Sequence, residues 1–202
     1  MTIVITIDKV IGKIEMNNGV IMIRDDLQAE LNSYDSIKRF PSFFSTASLH
    51  PAIYIANRHE TGRCGYATDK IGKGSIISFA TGSRISRPLR YSRQINDDVH
   101  VIGFGAIDHD CIEPAAVVEP LTNNLVAARD IKPGERITFN YLTTEYEMAE
   151  SFACRCGHEG CYNMIRGFKY LSQQQRIDLL NRFPLADYLL KYINAAEERK
   201  AV

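Results

Sequence analysis

Apolar positions recur early in the chain, with Ile3 and Ile5 followed by Ile11 and Ile14, before the turn residues Asn17-Asn18-Gly19 lead into Val20-Ile21-Met22-Ile23. Alternation flanking an Asn-Gly step predicts a β-hairpin, because Asn-Gly enters the left-handed turn that matches strand twist. Residues 24–38 are polar with sparse apolar positions and predict a short helix. Pro41 and Pro51 break the following stretch into loops, after which residues 62–80 hold two glycine-bounded turns and an apolar run of strand character. From Ala116 the pattern sharpens into AVVEP, LVAARDI and ERITFNY, separated by LTNN and by Pro133-Gly134. Three short β-rich runs between turn signals predict a meander of small strands. The tail reads differently. Ser172 stands as a cap ahead of Ile177, Leu179 and Leu180, Pro184 closes that pattern, and ADYLLKYINAAEERK continues as a second amphipathic helix.

Together these elements predict a mostly β chain of the α+β class with C-terminal helices. The alternation of strand and helix that builds a doubly wound nucleotide fold is missing. At 202 residues the chain is expected to form one domain with local additions. Apolar residues make up 45% and charged residues 24%, the balance of a folded protein rather than a disordered one. Basic and acidic residues cancel at 24 each, so the whole chain offers no electrostatic footprint for nucleic acid or an anionic membrane. No basic segment followed by an apolar one opens the sequence, and no apolar run reaches spanning length. The expectation is an intracellular, cytoplasmic protein, nuclear if the host is eukaryotic.

The chemistry-bearing residues concentrate in CRCGHEGC, residues 154–161. Cysteines spaced C-x-C-x4-C wrap three sulfurs around one tetrahedral ion, and a closed zinc site needs a fourth thiolate or imidazole. Five cysteines in a chain without a secretory leader favour reduced thiols or metal over disulfides. Candidates for the fourth position are His158 inside the loop, Cys64 and Cys111.

The stretch ARDIKPGERITFNY followed by CRCGHEGC resembles the end of a SET domain and its post-SET segment, where a run like G-E-E-L-T-F-N-Y precedes C-x-C-G-x-x-x-C. DHDC at 108–111 occupies the place of that family's N-H-S-C motif, and GRCGYAT at 62–68 followed by IGKG resembles its G-x-G-x-x-A opening and I-x-x-G turn. The resemblance is to the SET-domain protein-lysine methyltransferase family, and it divides the chain into a flanking region with a hairpin (1–50), a SET domain (51–148), a post-SET zinc segment (149–168) and C-terminal helices (169–202). The implied fold is a set of small β-sheets with a pseudoknot.

The resemblance further implies transfer of a methyl group from S-adenosylmethionine to a lysine ε-amine of a protein, histone or other. Cys111 then joins Cys154, Cys156 and Cys161 around zinc, and Cys64 is structural. Tyr141 takes the catalytic position and also borders the cofactor, while Phe139 takes the position that sets how many methyl groups fit. Two residues apart on a strand, they are expected to share one face. Asp108 and His109 match the pair whose backbone meets the cofactor's adenine, and Arg63, Cys64, Gly65 and Tyr66 match the loop around its methionine end, with Arg63 placed to pair with the carboxylate.

The sequence also departs from the pattern. Asp108 replaces an amide with an acceptor-only carboxylate, Asp110 replaces Ser, Cys64 replaces the second glycine, and Glu113-Pro114-Ala115 stand where Pro-Asn is expected. These departures keep a second reading open, a catalytically divergent SET-like protein that acts on a small amine or serves as a binding module. A small zinc-knuckle binder of nucleic acid fits the neutral charge poorly. Arg84, Arg87, Arg90 and Arg93 recur every three residues and suggest an acidic or phosphate-bearing partner, in competition with a plain solvated basic face.

Overall fold

The computed structural model of the chain describes residues 15–17, 20–22, 49–58, 62–102 and 107–198. Short strands dominate: β1 (Glu15–Asn17), β2 (Val20–Met22), β3 (Ile53–Arg58), β4 (Gly62–Ala67), β5 (Ile76–Ser78), β6 (Ser83–Ile85) and β7 (Ser92–Asn96). They continue with β8 (Val99–Ile102), β9 (Asp108–His109), β10 (Ala116–Val118), β11 (Leu125–Ala127), β12 (Thr138–Phe139), β13 (Phe152–Ala153) and β14 (Met164–Ile165). Two helices close the chain, α1 (Gln173–Arg182) and α2 (Asp187–Glu198). The mostly β architecture with C-terminal helices is the one expected. None of the described helices is long and apolar enough to cross a membrane.

β1 and β2 pair antiparallel with Asn17 opposite Val20, the predicted hairpin, and β2 continues in parallel onto β6 in a sheet ordered β1-β2-β6-β8-β7. The alternation at Ile3 and Ile5 and the polar stretch 24–38 lie outside the described residues.

The second sheet corrects the predicted meander. β10 and β11 form the expected antiparallel pair, joined through Asn123 in the left-handed region (φ 56°) and the Asn123 N–H bonded to the Glu119 carbonyl at 2.8 Å. β12 does not follow β11. The order is β5-β11-β10-β12-β9, and β12 lies parallel to both β10 and β9. The intervening chain is drawn away from β11, because Ile131 bridges Ile71 and Arg136 bridges Tyr66 before β12 enters on the far side of β10. β12 is therefore inserted between two strands joined by residues 110–115 alone. The Asn140 side chain donates to the Cys111 carbonyl at 3.0 Å, and the Ala115 N–H donates to Thr138 Oγ1 at 3.0 Å, so the link is tied to the strand it crosses. This threading is the pseudoknot that the resemblance implies.

Two apolar clusters support it. Ile71, Ile77, Leu125, Ile131, Ile137 and Phe139 are buried under the second sheet, and Leu142, Ile165, Phe168, Leu179 and Leu189 form a core beneath the helices. Each such side chain stabilises the fold by roughly 1.5–3 kcal/mol. Tyr141 packs on the first cluster and its neighbour Leu142 sits in the second, so the short 3-10 turn Tyr141–Thr143 couples sheet to tail. α1 starts at Ser172, whose hydroxyl accepts from the Gln175 N–H while the Gln175 side chain accepts from the Ser172 N–H. Of its three predicted apolar positions only Leu179 is buried; Ile177 and Leu180 are exposed.

Candidate active site and metal cluster

Tyr141 leaves β12 through a cap rather than along a strand. The Asn140 side chain accepts from the Leu142 N–H at 3.0 Å and turns the chain into the 3-10 turn. Strand alternation is thus not what brings Phe139 and Tyr141 together, yet their ring centroids are 4.7 Å apart. His109 and Phe152 complete the cluster, with His109 4.9 Å from the Tyr141 ring and Phe152 5.8 Å from it. The Tyr141 hydroxyl donates to the Ile107 carbonyl at 2.6 Å, and its N–H donates to His109 Nδ1 at 3.1 Å. Burial of the phenol, reinforced by the negative charges of Asp108 and Glu145, pushes Tyr141 well above the usual tyrosine range. It stays a neutral O–H donor.

Burial pushes His109 down to about 3, so its imidazole is neutral. Nδ1 already accepts, which assigns the proton to Nε2, and that atom is buried without a hydrogen-bond partner among the described residues. A donor left unmet beside the aromatic cluster suits a ligand that brings an acceptor. β9, which carries His109, is also the edge strand of its sheet.

Asp108 is the hub of the adjoining polar contacts. One carboxylate oxygen accepts from the His109 N–H at 2.7 Å, and the other meets Arg136 Nη1 at 3.1 Å and Cys64 Sγ at 3.4 Å. Cys64 is fully buried. Gly65 follows it in β4, and its carbonyl accepts from the Ile137 N–H at 2.8 Å, which locks β4 against the entry to β12. Tyr66 stacks on Tyr54 at 5.5 Å. Arg63 lies in β4 opposite Asn57, and its side chain is outside the described residues.

The four cysteines picked out by motif come together. Cys111 Sγ lies 3.5 Å from Cys156 Sγ, 3.6 Å from Cys161 Sγ and 3.7 Å from Cys154 Sγ, and all four sulfurs fall within 4.8 Å of one another. Sulfurs bound about 2.3 Å from a tetrahedral zinc stand about 3.8 Å apart, so the set fits one zinc ion. These distances also exclude disulfides. Gly157 and Gly160, both at φ 76°, make the left-handed turns that bend the loop around the sulfurs. His158 is not part of the set. Its Nε2 lies 3.4 Å from Asp110 Oδ2, tying the cysteine loop to the 110–115 link. Asp110 also accepts from the Ile112 and Glu113 N–H groups at 2.9 Å each, so its carboxylate shapes that link where the family pattern has Ser.

The arginine run is not a single surface. Arg84 and Arg87 are exposed, Arg90 pairs with Glu150 at 3.4 Å, and Arg93 is buried with its guanidinium donating to the Asn123 carbonyl. Arg93 therefore contributes nothing to the surface suggested for an acidic partner, and Arg90 is already engaged by Glu150. β7 turns Arg93 inward, and burial lowers it to about 10.

Sequence reasoning missed Phe152, Ile107 and Arg136. Phe152 carried a weak signal as the aromatic two residues before Cys154. Arg136 carried a clearer one, because it stands where the quoted family run has its second Glu.

No protein-family model matches the chain. In sequence it is similar to the methyltransferase flvH of Aspergillus flavus, 31% identical over 78 residues that make up 38% of this chain and 41% of that protein. The chain thus spans less than half the length of this curated relative. In structure it is similar to KRYPTONITE in complex with mCHG DNA and SAH, with a TM-score of 0.44 and 20% identity over 65% of this chain and 32% of that one. It is likewise similar to the methyltransferase domain of human histone-lysine N-methyltransferase SETMAR, with a TM-score of 0.44 and 18% identity over 59% of each chain.

Proposed function

We propose that this chain is an S-adenosylmethionine-dependent methyltransferase of the SET-domain kind, acting on a lysine ε-amine of a protein. The observation that carries the reading is Tyr141, its hydroxyl held by the Ile107 carbonyl and its backbone N–H by His109 inside an aromatic cluster, and set beside four converging cysteines by one threaded strand. The 31% identity to a methyltransferase supports methyl transfer as the reaction.

S-adenosylmethionine would supply an electrophilic methyl on a sulfonium. The chain would supply position and environment. Asp108, His109, Gly65 and Tyr66 would border the cofactor, His109 Nε2 offering a donor in need of an acceptor. A lysine amine, with an ordinary pKa of about 10.4, must arrive without its proton, and an apolar aromatic surround disfavours the ammonium form. Phe139, Tyr141 and Phe152 provide that surround. The neutral phenol of Tyr141 and the Ile107 carbonyl it engages would offer oxygen dipoles to the amine and the transferring methyl as they gain positive character. Phe139 brings no hydroxyl to hold a water in the pocket, a setting suited to more than one round of methylation. Cys111, Cys154, Cys156 and Cys161 would hold a structural zinc, because a closed set of four thiolates leaves no open coordination position.

The test is methyl transfer itself. Purified protein given isotopically labelled S-adenosylmethionine and a protein extract should label a protein band, and Tyr141→Phe should lower the rate on the order of 100-fold with cofactor binding retained. Label confined to small molecules would move the substrate to a free amine. Absence of label together with absence of cofactor binding would end the enzyme reading.

A further inference from the structure

Three residues that depart from the SET pattern meet at one point. Cys64 stands for glycine, Asp108 for asparagine and Arg136 for glutamate, and the structure places both Cys64 Sγ and Arg136 Nη1 against the same oxygen of Asp108, at 3.4 and 3.1 Å. They come from separate segments. The register Thr138 opposite Asp108 and the bridge of Arg136 to Tyr66 set Arg136 between β9 and β4. Asp108 puts a carboxylate where the pattern has a neutral amide, and Arg136 puts a cation where it has a carboxylate, so the two new charges face each other as a pair that sums to zero. The pair is half-shielded, with side-chain exposures of 35% for Arg136 and 19% for Asp108, and charge there is only partly screened by water. Asp108 also lies close enough to the Tyr141 phenol for its charge to add to the effect of burial in raising that hydroxyl.

We propose that the Asp108–Arg136 pair cancels the arginine charge beside the cofactor pocket and so sets this chain's affinity for cationic S-adenosylmethionine relative to S-adenosylhomocysteine, the product whose sulfur is neutral. The inference rests on the methyltransferase reading. Arg136 without its partner leaves a cation that repels a sulfonium and is indifferent to a thioether. Asp108 without Arg136 leaves an anion that attracts the sulfonium. A unit charge several ångströms away at the effective dielectric of a partly buried site changes affinity roughly three- to thirtyfold. Reverting to the family's asparagine alone should therefore harm cofactor binding.

Calorimetric titration with each of the two ligands tests this in the wild type, Asp108→Asn, Arg136→Gln, the double variant Asp108→Asn/Arg136→Gln, and Arg136→Lys. Asp108→Asn should lower the ratio of S-adenosylmethionine to S-adenosylhomocysteine affinity by roughly three- to thirtyfold, and Arg136→Gln should raise it. The double variant and Arg136→Lys should return it toward wild type, a rescue that also controls for folding. Loss of both ligands in equal proportion, or a ratio unmoved in every variant, would overturn the proposal and leave the enzyme reading standing. A wild type that binds neither ligand would remove the enzyme reading and this inference with it.

Discussion

Glu145 lies buried four residues beyond Tyr141, where its carboxylate accepts from the Gln94 N–H at 3.0 Å and the Thr144 hydroxyl at 3.1 Å and stands 3.7 Å from His100 Nδ1. Burial outweighs those hydrogen bonds and pushes it up to about 7 from an ordinary 4.5. Between those two values the folded protein holds a proton that the unfolded chain has released, so this group's contribution to stability is complete below about pH 4.5 and falls as pH rises to 7. Glu145→Gln keeps an acceptor for Gln94 and removes the titration. Relative to wild type it should gain about 1–3 kcal/mol between pH 5 and pH 8, read from urea midpoints. His100, lowered by burial to about 4, contributes in the opposite sense, its stabilising effect being lost as pH falls below its ordinary 6.5. A stability difference independent of pH would show that Glu145 is not held as described. The same polar group reaches the tail, where the Tyr188 hydroxyl lies 2.7 Å from the Thr144 carbonyl and 2.9 Å from the Gln94 carbonyl and shares its one proton between them.

Among elements, the threaded β12 and its 110–115 link decide most. Cys111 sits in that link, its carbonyl accepts from Asn140, and its sulfur meets those of the cysteine loop, so one residue joins strand to cysteine cluster. Cys111→Ser should leave purified protein with well under one equivalent of zinc by metal analysis, because it removes a thiolate from a four-ligand set. Full zinc occupancy would reassign the fourth ligand. In the tail, Ser172→Ala removes the capping hydroxyl of α1 and should cost about 1 kcal/mol, a fall in Tm of roughly 2–4 °C. Much of this was legible in the chain. Short spacing forced three sulfurs together, Ser172 marked a helix start, and LTNN marked the β10–β11 turn. The parallel placement of β12 was not legible, since three strands in a row suggest a meander and only the bridges Ile71 to Ile131 and Tyr66 to Arg136 carry the chain elsewhere. The pairing of Asp108 with Arg136, 28 residues apart, follows from that placement and was hidden with it. The arginine period misled for a related reason, because β7 buries Arg93 while its neighbours in the run stay outside.

At the scale of the molecule, two apolar cores meet at Tyr141–Thr143, and the four-cysteine cluster, the β9 edge and the aromatic cluster adjoin through residues 107–115. On the methyltransferase reading zinc would therefore help to build the cofactor site, since releasing the cysteine loop frees Cys111 and the 110–115 link that follows His109. Titration of S-adenosylhomocysteine into zinc-loaded protein and into the same protein stripped by a chelator tests this account most directly. One equivalent should bind the zinc-loaded form, with affinity reduced more than about tenfold after stripping. No binding to the zinc-loaded protein, or equal binding to both forms, would contradict it.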